Sequence, residues 1–321
     1  MPPQMKKTRE GFGHALAELG ETNPNIVVLV GDLASSTMVH FFAQKFPQRF
    51  FQMGVAEQNM SNVAAGLSLT GKIPFFATYG AFAACRDLDM IRVTTCYSNL
   101  NVKIGGAHGG ISVGPDGATH QALEEFAIMR SLPNMKVICP SDYWETKKAT
   151  KAAAEIWGPF YIRMGREDVP VVTDENTPFE FGKGIVMRPG NDIAIIACGI
   201  MVYEALEAAE VLAREDKIEA RVINMHTLKP LDDELIVKAA RECGAIVTAE
   251  EHQIYGGLGA AVAQVTAWYH PVPVEMVAMW DRFGQSGKPE ELMVAFGMKS
   301  TNIVEKARKA LRRRDHRGNG K

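Results

Sequence analysis

Short runs of apolar, mostly β-branched residues alternate along the chain with longer stretches whose apolar positions recur at helical spacing. In the first half the runs are Ile26–Val30, Ile73–Ala77, Val102–Gly105, Lys136–Cys139 and Phe160–Arg163. Between them the pattern predicts helices over Thr8–Leu19, Glu57–Leu69, Phe82–Tyr97, His120–Ser131 and Tyr143–Ile156. A strand that is apolar along its whole length has no solvated face, which implies a parallel sheet covered by helices on both sides. From Val172 to Asp192 the chain turns rich in proline, glycine and polar residues and reads as a linker. Alternation then restarts with Asp192–Cys198, Ala220–Asn224, Ala245–Ala249 and Val274–Val277. The first two of these flank a helix in which Val202, Ala205, Leu206, Ala209 and Leu212 follow the i, i+3, i+4, i+7 rule. The expectation is an α/β protein of two doubly wound domains: a mostly parallel sheet in residues 1–180, a smaller α/β unit in 181–310, and a basic, flexible tail over 311–321.

Composition narrows the function classes. The 321 residues are 46% hydrophobic and 22% charged, which excludes a disordered or collagen-like chain. With 35 basic and 37 acidic side chains the net charge is −2, which argues against nucleic acid or anionic membrane as a partner. The opening MPPQMKKTREGFG has no apolar core behind its basic residues, and no run approaches the roughly 18–20 apolar residues of a membrane helix. Five widely spaced cysteines without a CxxC pair suggest buried, reduced thiols and no disulfide or zinc framework. A soluble, cytoplasmic protein with no metal-ligand set of its own is expected.

The usual phosphate loops are missing. No GxxxxGK[ST] occurs, and Gly256-Gly257-Leu258-Gly259-Ala260-Ala261 is a poor match to GxGxxG that suits tight helix packing better. A Gly-Asp-Gly followed by an Asn is absent too.

Three constellations carry chemistry. Gly105–Gln121 places His108, Asp116 and His120 on a glycine-rich loop after an apolar strand, the edge where ligands bind in parallel α/β sheets. Imidazoles there can donate to oxygen atoms or move protons near neutral pH; a plain turn and helix cap from Asp116 and Thr119 is the structural alternative. Glu57, in GVAEQNM, sits where a loop turns into a largely apolar helix. It either complements the helix dipole or, if desolvated, exchanges a proton with a ring nitrogen. The run FYIRMGRE delivers Arg163 and Arg166, with Arg166 beyond the strand end. An arginine fork suits phosphate or sulfonate, and a surface ion pair with Glu167 or Asp168 is the competing role.

Together with TRE, GDLASST, GVAEQNM, HGGISVGPDGATHQ, YIRMGRE and EEHQIYGGLG, these residues make the chain resemble the C-terminal subunit of a split transketolase: a pyrimidine-binding domain followed by a transketolase C-terminal domain. The resemblance implies a two-carbon ketol transfer from a phosphorylated ketose donor to an aldose acceptor, with thiamine diphosphate as cofactor. It places Glu57 at N1′ of the cofactor's aminopyrimidine for proton exchange, Tyr79 and Phe82 against that ring, and Asp32 near the thiazolium. His108 and His120 would meet the hydroxyls and carbonyl of the donor, and Asp116 a sugar hydroxyl. Arg9, Ser36 (or Ser35 in an alternative register) and Arg166 would surround the distal phosphate, where a sulfonate would satisfy the same donors.

The missing Gly-Asp-Gly…Asn pattern implies that the diphosphate and its Mg²⁺ (or Ca²⁺) are held by a separate N-terminal subunit, in an α2β2 assembly. Two related identities share this fold: the β subunit of a 2-oxo acid dehydrogenase E1 component and a 1-deoxyxylulose-5-phosphate synthase-like enzyme. A non-catalytic scaffold subunit is a third alternative. The pentose phosphate pathway and a catabolic route for an unusual sugar are both open.

Overall fold

A computed structural model describes residues 3–318. Its strands are β1 Met5–Lys7, β2 Ile26–Val30, β3 Phe50–Gln52, β4 Ile73–Tyr79, β5 Lys103–Ala107, β6 Lys136–Ile138 and β7 Phe160–Arg163. They continue with β8 Asp168–Pro170, β9 Ile185–Arg188, β10 Ile193–Ala197, β11 Ala220–Asn224, β12 Thr227–Lys229, β13 Ile246–Gln253 and β14 Val274–Met279. Two main sheets result, ordered β12-β6-β7-β5-β4-β2-β3 and β14-β13-β10-β11-β9. Pairing is parallel throughout except at the edge strands β12 and β9, while β1 and β8 form a separate antiparallel pair. The α/β architecture of two mostly parallel domains is therefore as expected.

The apolar runs become central strands because both their faces are covered. Ile26, Val28 and Val30 pack with Phe12 and Leu16 of the helix Thr8–Thr22, whereas Val27 and Leu29 face Met60 and Ala64 of the helix Glu57–Leu69. That period of two is the pleat sorting side chains to opposite faces. The second cluster continues through Cys139 to Cys198, Met225 and Ile236, so the two sheets share apolar core.

Several expectations need correction. The strand β9 lies inside the Val172–Asp192 segment read as a linker and pairs with β11. The helix expected over Phe82–Tyr97 is instead two π-helical segments, Phe82–Arg86 and Ile91–Tyr97, around a short α-turn at Leu88–Met90. The helix expected from His120 starts at Glu125, because a 3₁₀ turn over Ile111–Asp116 and positive φ at Gly114 and Gly117 keep the preceding loop irregular. Cys85 is exposed while the other four thiols are buried, and all five are free. The tail expected to be flexible from residue 311 belongs to the helix Ser300–Gly318; Arg313 bonds Glu275 at 2.6 Å and Arg314 the Asp192 carbonyl at 2.7 Å. Residues 319–321 of that expected tail lie outside the described residues. Among the described residues, no helix is long and apolar enough to cross a membrane.

Candidate functional site

Four neighbouring strands, β7, β5, β4 and β2, aim their carboxyl ends at one edge of the larger sheet. Every residue singled out for chemistry in the first domain leaves from that edge or from a helix start beside it, as the switch-point rule for open parallel sheets requires. Asp32 follows β2, Tyr79 ends β4, His108 follows β5 and Arg166 follows β7.

The centre is aromatic. The Tyr79 ring lies 4.0 Å from His108, 5.7 Å from Phe82 and 5.9 Å from His120, and Phe82 is 5.4 Å from His120. His108 is buried in a left-handed backbone conformation (φ 57). Left-handed geometry is uncommon for a residue with a side chain and persists where its surroundings hold it. Its Nδ1 has no hydrogen-bond partner among the described residues. Burial, with Arg9, Arg166 and His120 nearby, pushes its pKa down to about 3. His120 is half-buried, with Nδ1 2.8 Å from Thr119 Oγ1.

A titration checks the neutral His108 ring. Its carbon-bound proton shifts are expected to stay flat between about pH 5 and 9, and an inflection near the ordinary value of about 6.5 would overturn this. The folded pKa lies below the unfolded one, so the unfolded chain takes up the proton first as pH falls. This residue therefore removes stability progressively below about pH 6.5.

Glu57 opens its helix with a carboxylate that is 2% exposed. Arg86 Nη1 donates to Glu57 Oε2 at 2.9 Å, and the same guanidinium lies 4.3 Å above the Phe82 ring. Arg86 thereby ties the carboxylate to the aromatic cluster. Asp87 beside it is fully buried with neither oxygen bonded within the described residues. Burial pushes this carboxyl up to about 8, opposed by the nearby Ser61 hydroxyl and reinforced by the Glu57 charge. Neither Arg86 nor Asp87 stands out in the sequence, because both fall inside a stretch that reads as one ordinary helix. A π-helical break, common at functional sites, is the feature that marks them.

On the other flank Arg9 donates through Nε to the Arg166 carbonyl at 3.0 Å and through Nη1 to the Ser36 carbonyl. Arg166 Nη1 donates to the Val113 carbonyl at 2.8 Å and to Asp116 Oδ1 at 3.2 Å, and its Nε is 3.5 Å from Glu167. Arg9, Ser36, Asp116 and Arg166 thus gather at one place. Asp116 pairs with Arg166 and caps no helix; the next helix has Glu124 at its N-cap, without a side-chain cap bond. Ser35 is more exposed than Ser36, whose carbonyl is the group on Arg9.

Asp32 stands apart. Its φ is 63, its side chain is exposed, and only its amide is engaged, donating to Gln52 Oε1 at 2.7 Å. Its neighbour Gly31 brings this loop to Glu57, since a Cβ there would sit 4.0 Å from Glu57 Cγ.

A buried carboxylate at a helix start, flanking aromatic faces and an unpartnered buried imidazole fit a heteroaromatic ring with an oxygen-rich substrate beside it. Among the described residues no group of three or more His, Cys, Asp or Glu is placed to hold a metal ion.

Comparison with known proteins identifies the family. The family described as the transketolase pyrimidine-binding domain matches residues 4–172, and the one described as the transketolase C-terminal domain matches 182–303. A 6-deoxy-6-sulfo-D-fructose transketolase subunit of Clostridium sp. strain MSTE9 is 40% identical, covering 96% of each chain. An apulose-4-phosphate transketolase subunit of Phocaeicola vulgatus is 38% identical over 96% of this chain and 98% of its own. A solved split gene transketolase, described as an inactive beta4 tetramer, superimposes with a TM-score of 0.90 at 50% identity, over 96% of this chain and 99% of that one. This chain belongs to the transketolase family and unites in one polypeptide its pyrimidine-binding and C-terminal domains.

Proposed function

We propose that this chain is the C-terminal subunit of a two-subunit, thiamine diphosphate-dependent transketolase that moves a two-carbon ketol unit from an anionic ketose donor to an aldose acceptor. The observation that carries the reading is the convergence, at one sheet edge, of buried Glu57, the Tyr79–Phe82–His108–His120 cluster and the Arg9–Arg166 pair. Family membership implies thiamine diphosphate dependence; when bound, that cofactor supplies the carbanion chemistry for making and breaking a carbon–carbon bond beside a carbonyl.

The chain's own residues supply the rest. Glu57 would meet a ring nitrogen of the cofactor, shielded from water so that proton exchange between them runs inside the site. Tyr79 and Phe82 would offer faces to the ring, and Asp32, on the loop after β2, would help position the cofactor near its thiazolium. His108, kept neutral, has a free Nδ1 for a substrate oxygen, and His120 serves the neighbouring one. Arg9 and Arg166, with Ser36 and Asp116 between them, orient the distal anion and the hydroxyl next to it. The names of the two transketolase relatives include one sulfonated and one phosphorylated sugar. Both chemistries offer oxyanions to the same arginine forks.

A separate N-terminal subunit holds the diphosphate and its Mg²⁺, in an α2β2 assembly working in the cytoplasm. Two things support a separate N-terminal subunit: relatives matched over nearly their whole length are named as transketolase subunits, and a structural neighbour of the same length is a split gene transketolase described as an inactive beta4 tetramer. The test is reconstitution: the chain alone, and the chain with an N-terminal subunit, assayed for two-carbon transfer from a panel of ketose phosphates. Turnover is expected only from the pair. Acyl-lipoamide formation in place of ketol transfer would sink the reading, as would full activity of the single chain.

Within that assay, Arg166→Met is expected to raise KM for a phosphorylated donor about tenfold or more, since a charged hydrogen bond contributes roughly 1.5–3 kcal/mol. An unphosphorylated donor should change little. Equal losses on both donors would remove Arg166 from the anion pocket.

A further inference from the structure

The glycine loop that carries His108 is gripped from the second domain. Arg163, at the end of β7, is 3% exposed. Its Nε lies 3.4 Å from Glu125 Oε1, its Nη1 lies 3.4 Å from Glu251 Oε2, and its Nη2 donates to the Glu251 carbonyl at 3.3 Å. The other oxygen of Glu251 accepts the Ser112 N–H at 2.9 Å. Glu251 belongs to β13, whereas Ser112 and Arg163 belong to the first domain.

The residues around Glu251 extend the grip. His252 Nε2 accepts from the N–H groups of Phe126 and Ala127 at 3.2 and 3.3 Å, and its ring stacks on Phe126 at 4.9 Å. Burial keeps this imidazole neutral down to about 4, which leaves Nε2 able to accept. The Gln253 N–H donates to the Leu123 carbonyl at 2.8 Å. Three consecutive residues of β13 thus hold the loop near one end, at Ser112, and the start of the next helix at the other.

The guanidinium between them sits directly on the loop backbone. A Cβ at Gly109 would fall 2.2 Å from Arg163 Nε, and one at Gly110 would fall 2.3 Å from its Nη2. No side chain intervenes, so wherever Arg163 sits, the backbone directly after His108 must follow.

We propose that Glu251 is a positioning residue: through Arg163 and the Ser112 amide it sets the path of the 108–121 loop and thereby the affinity for the ketose donor. The kinetic part rests on reading His108 as a donor ligand; the structural part does not. The carboxylate fixes the guanidinium on one side and a loop amide on the other. Weakening either contact frees the loop without touching Glu57 or the aromatic faces.

Two variants test this. Glu251→Gln keeps an oxygen for Ser112 but loses the charge facing Arg163, and Glu251→Asp keeps the charge but draws back from the amide. Hydrogen exchange of the chain alone is expected to quicken in residues 108–121 for both variants, with β10 and β11 protected as before. In the reconstituted enzyme KM for the donor is expected to rise about tenfold, with kcat within a few-fold and cofactor affinity unchanged. Wild-type exchange in the loop of both variants overturns the proposal. So does acceleration spread evenly over the chain, which marks a purely structural role. If the wild-type complex turns over no ketose, the transketolase reading fails, and local acceleration of the loop still upholds the role of Glu251 in holding it.

Discussion

In the enzyme reconstituted with its N-terminal subunit, Glu57→Ala and Glu57→Gln are both expected to lower kcat by about 10²–10⁴, the range of a lost general acid–base group. Stability and donor KM should change little. The separation follows from where the two members of the ion pair sit. Glu57 is 2% exposed, whereas the side chain of its partner Arg86 is 46% exposed and can recover its hydration when the carboxylate is gone. Removing one member of a fully buried pair would instead strand a charge, at a cost of about 3–5 kcal/mol. Glutamine is the sharper probe. It has nearly the shape of glutamate and can still accept from Arg86, but it cannot exchange a proton at neutral pH. Circular dichroism should report an unchanged fold, and the loss should appear in single-turnover rates. Retention of kcat within a factor of about three in the Gln variant would exclude proton exchange through Glu57 and favour the scaffold alternative.

The central strands and most of the candidate site were legible because their signals are local. Ile26–Val30 is apolar at every position and both its faces are buried; the glycine loop announces itself by composition, and Glu57 by the boundary between a loop and an apolar helix. The misses all depend on distant partners or on competition within a segment. Thr227–Lys229 is three residues long and pairs with β6, some ninety positions earlier, so nothing nearby announces that it crosses to the other domain's sheet. The π-helical breaks around Arg86 preserve an apolar period close enough to 3.6 to pass for one helix. In the basic tail, the charges of Arg312, Arg313 and Arg314 mask the helical spacing of Ile303, Val304, Ala307 and Ala310, which carries the chain into the core. The role of Glu251 was hidden differently: EEHQIYGGLG stands out as a motif, but only the packing of β13 against the glycine loop shows what its first residues touch.

That packing makes Gly110→Ala a strongly damaging single-methyl substitution, and Gly54→Ala its control. Both glycines have positive φ, 92 and 70 respectively, so both substitutions incur backbone strain of order 1–3 kcal/mol. Only one meets an obstacle. At Gly54 an added Cβ has nothing within 4 Å, whereas at Gly110 it would lie 2.3 Å from Arg163 Nη2 and 2.7 Å from Glu251 Cδ. Neither neighbour has an easy retreat, because Arg163 and Glu251 are held by each other, Glu125 and the Ser112 amide. Overpacking costs about 1–3 kcal/mol where neighbours can adjust; here the adjustment also opens a buried charge pair. Gly110→Ala is therefore expected to be the costlier change by about 3 kcal/mol or more, which corresponds to an unfolding midpoint roughly 5–10 °C below that of Gly54→Ala. Equal midpoints for the two variants would mean that the loop slides past Arg163 without resistance, and the grip of the second domain on the His108 loop would then be too weak to set its path.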